Sequence, residues 1–290
     1  MSIRIATPAR SPLFCDVALA ARIEGAEAGL IAGWSTTAGR RLGDAAGFVR
    51  PIAGGVASFA EADSPLNKVA GLGFDGVPST SELDEVENAF AARGAAVQVE
   101  LAHLVEEPIG ALLTERGYRL VSFENVLGLA LAAAGEPRRA ALEGVEVRPS
   151  GAGELDHWVE VVADAVAIPD TQGVPSYEEF PREVIVNAMR DLAGASGLVR
   201  YAALRDGVLA GGASMRMSAG VAQFTGAATA PAHRRRGIQS ALLTARLADA
   251  AAAGCDIAVV TTQPGSRSQH NVQRSGFDLL YTRAILVKEF

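Results

Sequence analysis

Residues 241–253 are rich in alanine and leucine, with polar residues spaced between them, and Gly254 follows where such a helix stops. The apolar run 257–261 predicts a buried strand. Pro264 and Gly265 break it, 268–275 predicts a short helix ending at Gly276, and 277–287 reads as extended. The same order stands earlier in the chain: helix 82–93, a stop at Gly94, strand 97–101, Pro108, helix 109–116, then Gly117-Tyr118 against the later Gly276-Phe277. Gly117 and Gly276 lie 159 residues apart and Gly94 and Gly254 160 apart, so the two segments differ in length by one residue. That regularity predicts a duplicated unit. Between the copies, 145–149 reads as a strand, 154–166 and 181–192 as helices, and 198–204, 208–217 and 221–229 as successive strands, giving the second half the order βααβββαβαβ.

A chain of 290 residues is long enough for two cores. Pro137 and the charges around it separate the apolar run 126–134 from the strand at 145–149. The boundary is therefore expected near residue 140, with domains 1–139 and 140–290. The apolar run is about half the ~20 residues a membrane helix needs. Arg4, Arg10, Asp16 and Arg22 interrupt every early apolar stretch, so a cytoplasmic protein without a membrane partner is expected. A net charge of -7 argues against a general nucleic-acid surface. Cys15 and Cys255 have neither metal-ligand nor redox spacing and read as free structural thiols, with no metal site.

Against this acidic background, His233-Arg234-Arg235-Arg236-Gly237-Ile238 is a local basic turn that joins a strand to a helix. Unpaired N–H groups at a helix N-terminus, together with the positive end of the helix dipole, suit a phosphate, and glycine admits a close approach. Three arginines in a row point different ways, so one can simply face water. A solvated arginine loop is the plain alternative. A nucleotide P-loop is excluded because no lysine follows the glycine.

The segment resembles the signature of the GNAT acetyltransferase superfamily, Arg/Gln-x-x-Gly-x-Gly/Ala after a Val-x-Pro-like step. Arg234-x-x-Gly237 and Thr229-Ala230-Pro231 stand in those places, Gln239 departs from the usual Gly or Ala, and the resemblance covers about 145–290. It implies an α/β (α+β) fold of two tandem GNAT-like domains, each a mostly antiparallel splayed sheet flanked by helices. It also implies acetyl-coenzyme A as cosubstrate and an N-acetyltransferase acting on a small-molecule or peptide amine. Ala227, Ala228 and Thr229 would pair with pantetheine. Arg234, Arg235, Arg236, Gly237, Ile238, Gln239 and Ser240 would hold the pyrophosphate. Where the family's Asn stands, this chain has Gly265, with Ser266 and Ser268 beside it as substitute partners or, for Ser266, as a helix cap.

The first half lacks the turn. Gly76-Val77-Pro78-Ser79-Thr80-Ser81-Glu82 precedes its matching helix, and Glu82, Asp84, Glu85 and Glu87 would repel pyrophosphate, so one site per chain is expected. A backbone N–H near Thr229 is the expected oxyanion donor. The tyrosine acid of many family members is replaced by Val272, leaving Ser268, His270 and Tyr281 as candidate acids, whose structural alternatives are a helix cap, an exposed polar residue and strand packing respectively; His233 beside the turn suits solvent or a phosphate contact more than proton transfer. Tyr177, Glu178, Glu179 and Phe180 fall where the family's acceptor region is often bordered, and acidic residues there would favour a cationic amine; a solvent-exposed helix N-terminal turn before Pro181 is the alternative. Without catalysis the chain would be an acyl-coenzyme-A sensor or a structural module. Monomer and homodimer both remain open.

Overall fold

The computed structural model describes residues 11–43, 47–131, 142–168 and 178–290. The expected linker and domain boundary at 139/140, and Tyr177, lie outside the described residues. The first half runs α1 (Val17–Leu42), β1 (Phe48–Ile52), β2 (Gly55–Phe59), β3 (Lys68–Ala70), α2 (Thr80–Ala91), β4 (Val97–Ala102), α3 (Pro108–Glu115) and β5 (Arg119–Ala130). The second runs β6 (Val145–Pro149), α4 (Leu155–Ala167), α5 (Arg182–Ala193), β7 (Leu198–Arg205), β8 (Val208–Ser218), β9 (Val221–Thr229), α6 (Ile238–Ala252), β10 (Ile257–Thr262), α7 (Arg267–Arg274) and β11 (Asp278–Lys288). The order βααβββαβαβ is observed, and α2-β4-α3-β5 repeats as α6-β10-α7-β11.

The strands of both halves join in one sheet, in the order β1-β2-β3-β4-β11-β5-β10-β9-β8-β7-β6. Each half contains one parallel pair, β3 with β4 and β9 with β10. The last strand of each half crosses over: β11 pairs with β4 of the first half, β5 pairs with β10 of the second, and the two exchanged strands pair antiparallel with each other. The tandem arrangement is therefore an interlocked sheet with an approximate twofold at the β5–β11 pair.

Amphipathic alternation decides which layer each helix covers. Ala20, Ile23 and Ala26 of α1 pack with Val126, Val221, Ile257, Val259 and Tyr281 on one face. Trp158, Val162, Ile185 and Val186 bring α4 and α5 onto the same face over Ala202 and Ala228. On the other face Leu83, Phe90 and Ile109 of α2 and α3 cover Val97 and Val99, and Leu242, Leu243 and Val272 of α6 and α7 cover Leu127, Leu129, Ala222 and Phe224. Helix α1 belongs to the first half but rests on the second. Trp34 Nε1 donates to the Ala188 carbonyl at 2.8 Å, Arg41 Nη2 to Asp191 Oδ2 at 2.8 Å, and Arg216 Nη1 to the Ala26 carbonyl at 3.1 Å.

Beneath α1 lies a buried charge network at the exchange point. Arg283 Nε donates to Glu24 Oε1 at 2.8 Å and Arg283 Nη1 to Glu100 Oε2 at 3.4 Å, while Lys68 Nζ donates to Glu100 Oε1 at 2.5 Å. Burial holds Glu124, at the edge of this network, up to about 7, with Glu100 adding to the effect. Cys15 and Cys255 are free; burial is the main cause that raises both thiols, Cys15 to about 11, which keeps them protonated. No group of metal-ligating side chains is found among the described residues, and no described helix is long and apolar enough to cross a membrane.

Candidate active site

Strands β9 and β10 run in register only from Val221↔Ile257 to Phe224↔Val260, and beyond that they part. The cause lies partly in β9 itself. Its register with β8 jumps between Gly212↔Ala228 and Ser214↔Thr225, and Gly226 takes a left-handed φ of 56° inside that bulge. Gly212 faces Trp158 so closely that a Cβ there would lie 2.4 Å from Nε1, so the bulge is built around a glycine on one strand and a buried tryptophan below it. Ala230 N–H donates to the Ala210 carbonyl at 2.9 Å, so by alternation the N–H of Thr229 points away from β8 and into the gap.

At the mouth of the gap the chain turns through Pro231–His233 and enters α6. Arg235 has φ 61° and Gly237 φ 79°, and Gly237 serves as N-cap without any side-chain cap. The first helical bond runs from Ala241 N–H to the Gly237 carbonyl at 2.9 Å, which leaves the N–H groups of Ile238, Gln239 and Ser240 without an intrahelical acceptor. They border a cavity of about 640 Å³.

This cavity gathers Ala227, Ala228, Thr229, Arg234, Arg235, Gly237, Ile238, Gln239, Ser240 and Ser268, all expected from sequence, together with His233. Arg236 and Ser266 do not line it. Arg236 is exposed, and the Ser266 hydroxyl caps α7, accepting from Gln269 N–H at 3.1 Å. Arg234 lines the cavity, but its guanidinium is spent on carbonyls. Nη2 donates to Ala165 (3.1 Å) and Ile168 (2.5 Å) at the end of α4, and Nε to Thr229 (3.4 Å). It braces α4 against the turn, where a cation meets the negative end of a helix. Arg267 and Asn271 of α7 also line the cavity, as do Ala165, Val166 and Ile168, and sequence reasoning missed all five. The spacing of Arg267, Ser268 and Asn271, which puts them on one side of a short helix, was the available signal.

Among the acids expected from sequence, only Ser268 lies in the gap. His270 is exposed and lines neither cavity. Tyr281 takes the strand-packing role: it is buried, its hydroxyl donates to Glu24 Oε1 at 2.6 Å, and burial beside that carboxylate drives its ionisation far up, so it holds α1 to the sheet. Val272 is buried in the apolar core under α6.

The gap continues into a second cavity of about 370 Å³, which shares Val166, Ala227, Gln239 and Ser268 with the first. Its walls include Thr225, Gly226, Val260, Thr261, Leu243 and Arg246, and on the far side Glu27, Leu30 and Trp34 of α1. Arg246 is buried, lies 4.5 Å over the Phe224 ring, and donates through Nη1 to the Ser214 carbonyl at 3.1 Å, beside the bulge. Desolvation draws its ionisation down to about 9.

The corresponding turn of the first half is closed. Ser79 caps α2 in a reciprocal box: its hydroxyl accepts from Glu82 N–H at 3.3 Å, and Glu82 Oε2 accepts from Ser79 N–H at 2.8 Å. Two of the donors that an anion needs are consumed, and a carboxylate already stands where it would bind. Asp84 and Glu87 are paired with Arg116, and Glu85 with Arg50.

Residues 166–277 match the model of the Acetyltransferase (GNAT) family. The described fold is shared with solved GNAT proteins, one of them a tandem GNAT protein. It is similar to a GCN5-related N-acetyltransferase from Kribbella flavida, with TM-score 0.60 and 20% identity over 88% of this chain and 95% of that one. It is also similar to a tandem GNAT protein from the clavulanic acid biosynthesis pathway, with TM-score 0.59 and 12% identity over 88% and 87%. A GCN5-related N-acetyltransferase from Sphaerobacter thermophilus gives TM-score 0.54 and 19% identity over 72% and 67%. No curated protein sequence matches the chain.

Proposed function

We propose that this protein is an acetyl-coenzyme-A-dependent N-acetyltransferase of the cytoplasm, with one active site per chain in a domain beginning near residue 140. The observation that carries the reading is the uncapped start of α6. Three free N–H groups and Arg235 border a cavity that runs into the gap between β9 and β10. These groups fit a pyrophosphate, and the gap fits a pantetheine arm pairing with the free edge at Ala227 and Thr229. Arg267 and Asn271 supply further polar contacts from α7.

The thioester provides the acyl group. The chain holds it so that its carbonyl oxygen meets the N–H of Thr229, a fixed donor that gains strength as negative charge develops. Ser268 is the side chain nearest in kind to a proton donor for the departing thiolate, and solvent in the larger cavity performs the same task without it. The acceptor is an amine entering through the second cavity, where Glu27 favours a cation. Nucleic acid is not a partner, and the chain acts as a monomer of two halves or as a homodimer.

The buried Val272, which cannot donate a proton, favours a second reading as a coenzyme-A sensor without turnover. Release of free thiol from acetyl-coenzyme A, followed with and without a panel of primary amines, tests the two. Acceptor-dependent release supports the transferase; tight binding without it supports the sensor.

A further inference from the structure

Glu27 sits in the middle of α1, in the half that has no pyrophosphate turn, yet it lines the cavity into which the β9–β10 gap opens. Its carboxylate is held by a chain of polar contacts. Gln223 Nε2 donates to Glu27 Oε2 at 2.9 Å, the Gln223 amide oxygen accepts from Arg216 Nη1 at 3.3 Å, and Arg216 also holds the Ala26 carbonyl. The other carboxylate oxygen, Oε1, has no hydrogen-bond partner among the described residues, and Glu27 itself lines the cavity. Leu30 and Trp34, further along α1 at helical spacing, extend the same wall with apolar surface.

We propose that Glu27 is the general base of the reaction, so that the N-terminal half supplies the acceptor side of the active site, and that the acceptor is a primary amine carried on an apolar stem. This rests on the acetyltransferase reading above. The acceptor arrives as an ammonium ion and gives one proton to Oε1. The freed lone pair forms the C–N bond to the acyl carbon. The C–S bond then breaks with its electrons going to sulfur, and the second nitrogen proton passes to the thiolate. Amide and thiol leave, and Glu27 returns its proton to water. The stem lies along Leu30 and Trp34.

The charges around Glu27 suit this role. Burial is the main influence and raises its proton affinity above the ordinary carboxylate range; Glu24 on α1 and Glu100 on β4 act in the same sense, while Arg283 on β11 and Lys68 on β3 oppose them. Glu124 on β5 and Arg216 on β8 also interact with it, and Arg246 on α6 stands on the shared cavity wall. A carboxylate with raised affinity accepts an ammonium proton more readily than one in water.

The test compares wild type, Glu27→Gln and Glu27→Asp in three measurements: acetyl-coenzyme A binding by calorimetry, circular dichroism, and kcat/KM from pH 6 to 10 with 2-phenylethylamine and hexylamine. For Glu27→Gln we expect unchanged coenzyme affinity and a loss in kcat/KM of about 10²- to 10³-fold at pH 7. The loss should shrink as pH rises toward the amine's own pKa, because free amine no longer needs a base, and Glu27→Asp should recover part of the rate. A loss below threefold, or one of equal size at every pH, overturns the proposal while leaving the transferase reading intact. If the wild type itself releases no thiol in response to either amine, the transferase reading and the proposal fall together.

Discussion

Replacing Gly237 with alanine perturbs one torsion and one contact, and both are open to estimate. At φ 79° an L-residue carries about 1–2 kcal/mol of backbone cost. The new Cβ would lie 2.7 Å from Leu142 Cδ2, the end of a 41%-exposed side chain that can swing aside, so the contact adds little. The backbone then has two courses. Held in its present shape, it keeps the three N–H groups of α6 aimed into the cavity, and the fold loses about 1–2 kcal/mol of stability. Relaxed to negative φ, it turns those donors away, and the same energy appears as a coenzyme affinity about 5- to 30-fold weaker. Calorimetric titration with acetyl-coenzyme A and urea denaturation, run on the same preparations, measure both terms. Leu142→Ala in the Gly237→Ala background should restore little. Unchanged affinity together with unchanged stability refutes the claim that this glycine shapes the cradle.

Gly212→Ala forces a Cβ against Trp158 and Val162 and should cost about 1–3 kcal/mol in urea denaturation; a neutral result would mean that the bulge does not depend on that contact. Arg283→Met strands Glu24 and Glu100 in the core and should cost about 3–5 kcal/mol, read from the same curves. The carboxyl of Glu124 holds its proton up to about 7 in the folded chain, against 4.5 for an unperturbed carboxyl, so the folded state binds more protons within that window. Stability attributable to Glu124 therefore falls as pH rises from 4.5 to 7 and is level above it, with Glu27 acting in the same direction. Denaturation midpoints of wild type and Glu124→Gln should converge toward pH 5 and separate by pH 7.5, the variant being the more stable at the higher pH; parallel pH curves would contradict this.

Local chemistry was legible in the sequence wherever neighbours in the chain decide the outcome. The strand, basic turn and helix at 229–243 needed only Pro231, Gly237 and an apolar periodicity, and the first-half turn was marked as different by its missing Arg-x-x-Gly and its acidic helix start, although the Ser79–Glu82 capping box that closes it was not read. The exchange of β5 and β11 was not legible. Both read as extended runs, and which edge an extended run joins depends on partners more than a hundred residues away. The hydrogen-bond partners of Arg234 and Tyr281 were not legible for a related reason. A guanidinium beside a phosphate turn and a phenol on a nearby strand both look like site groups, until the end of α4 claims the one and Glu24 of α1 claims the other. Glu27 and Arg246 escaped because each is one charge among the few on a largely apolar helix, and only the packing of α1 across the second half and of α6 beneath β9 makes them walls of one cavity.

The most direct test of the central claim is calorimetric titration of acetyl-coenzyme A into the full chain and into Gly237→Glu, which sets a carboxylate at the uncapped start of α6. Saturable binding at one molecule per chain, abolished by the substitution, is the result expected. No binding to the wild type, or equal binding to a folded variant, would place the coenzyme elsewhere or nowhere and contradict the account.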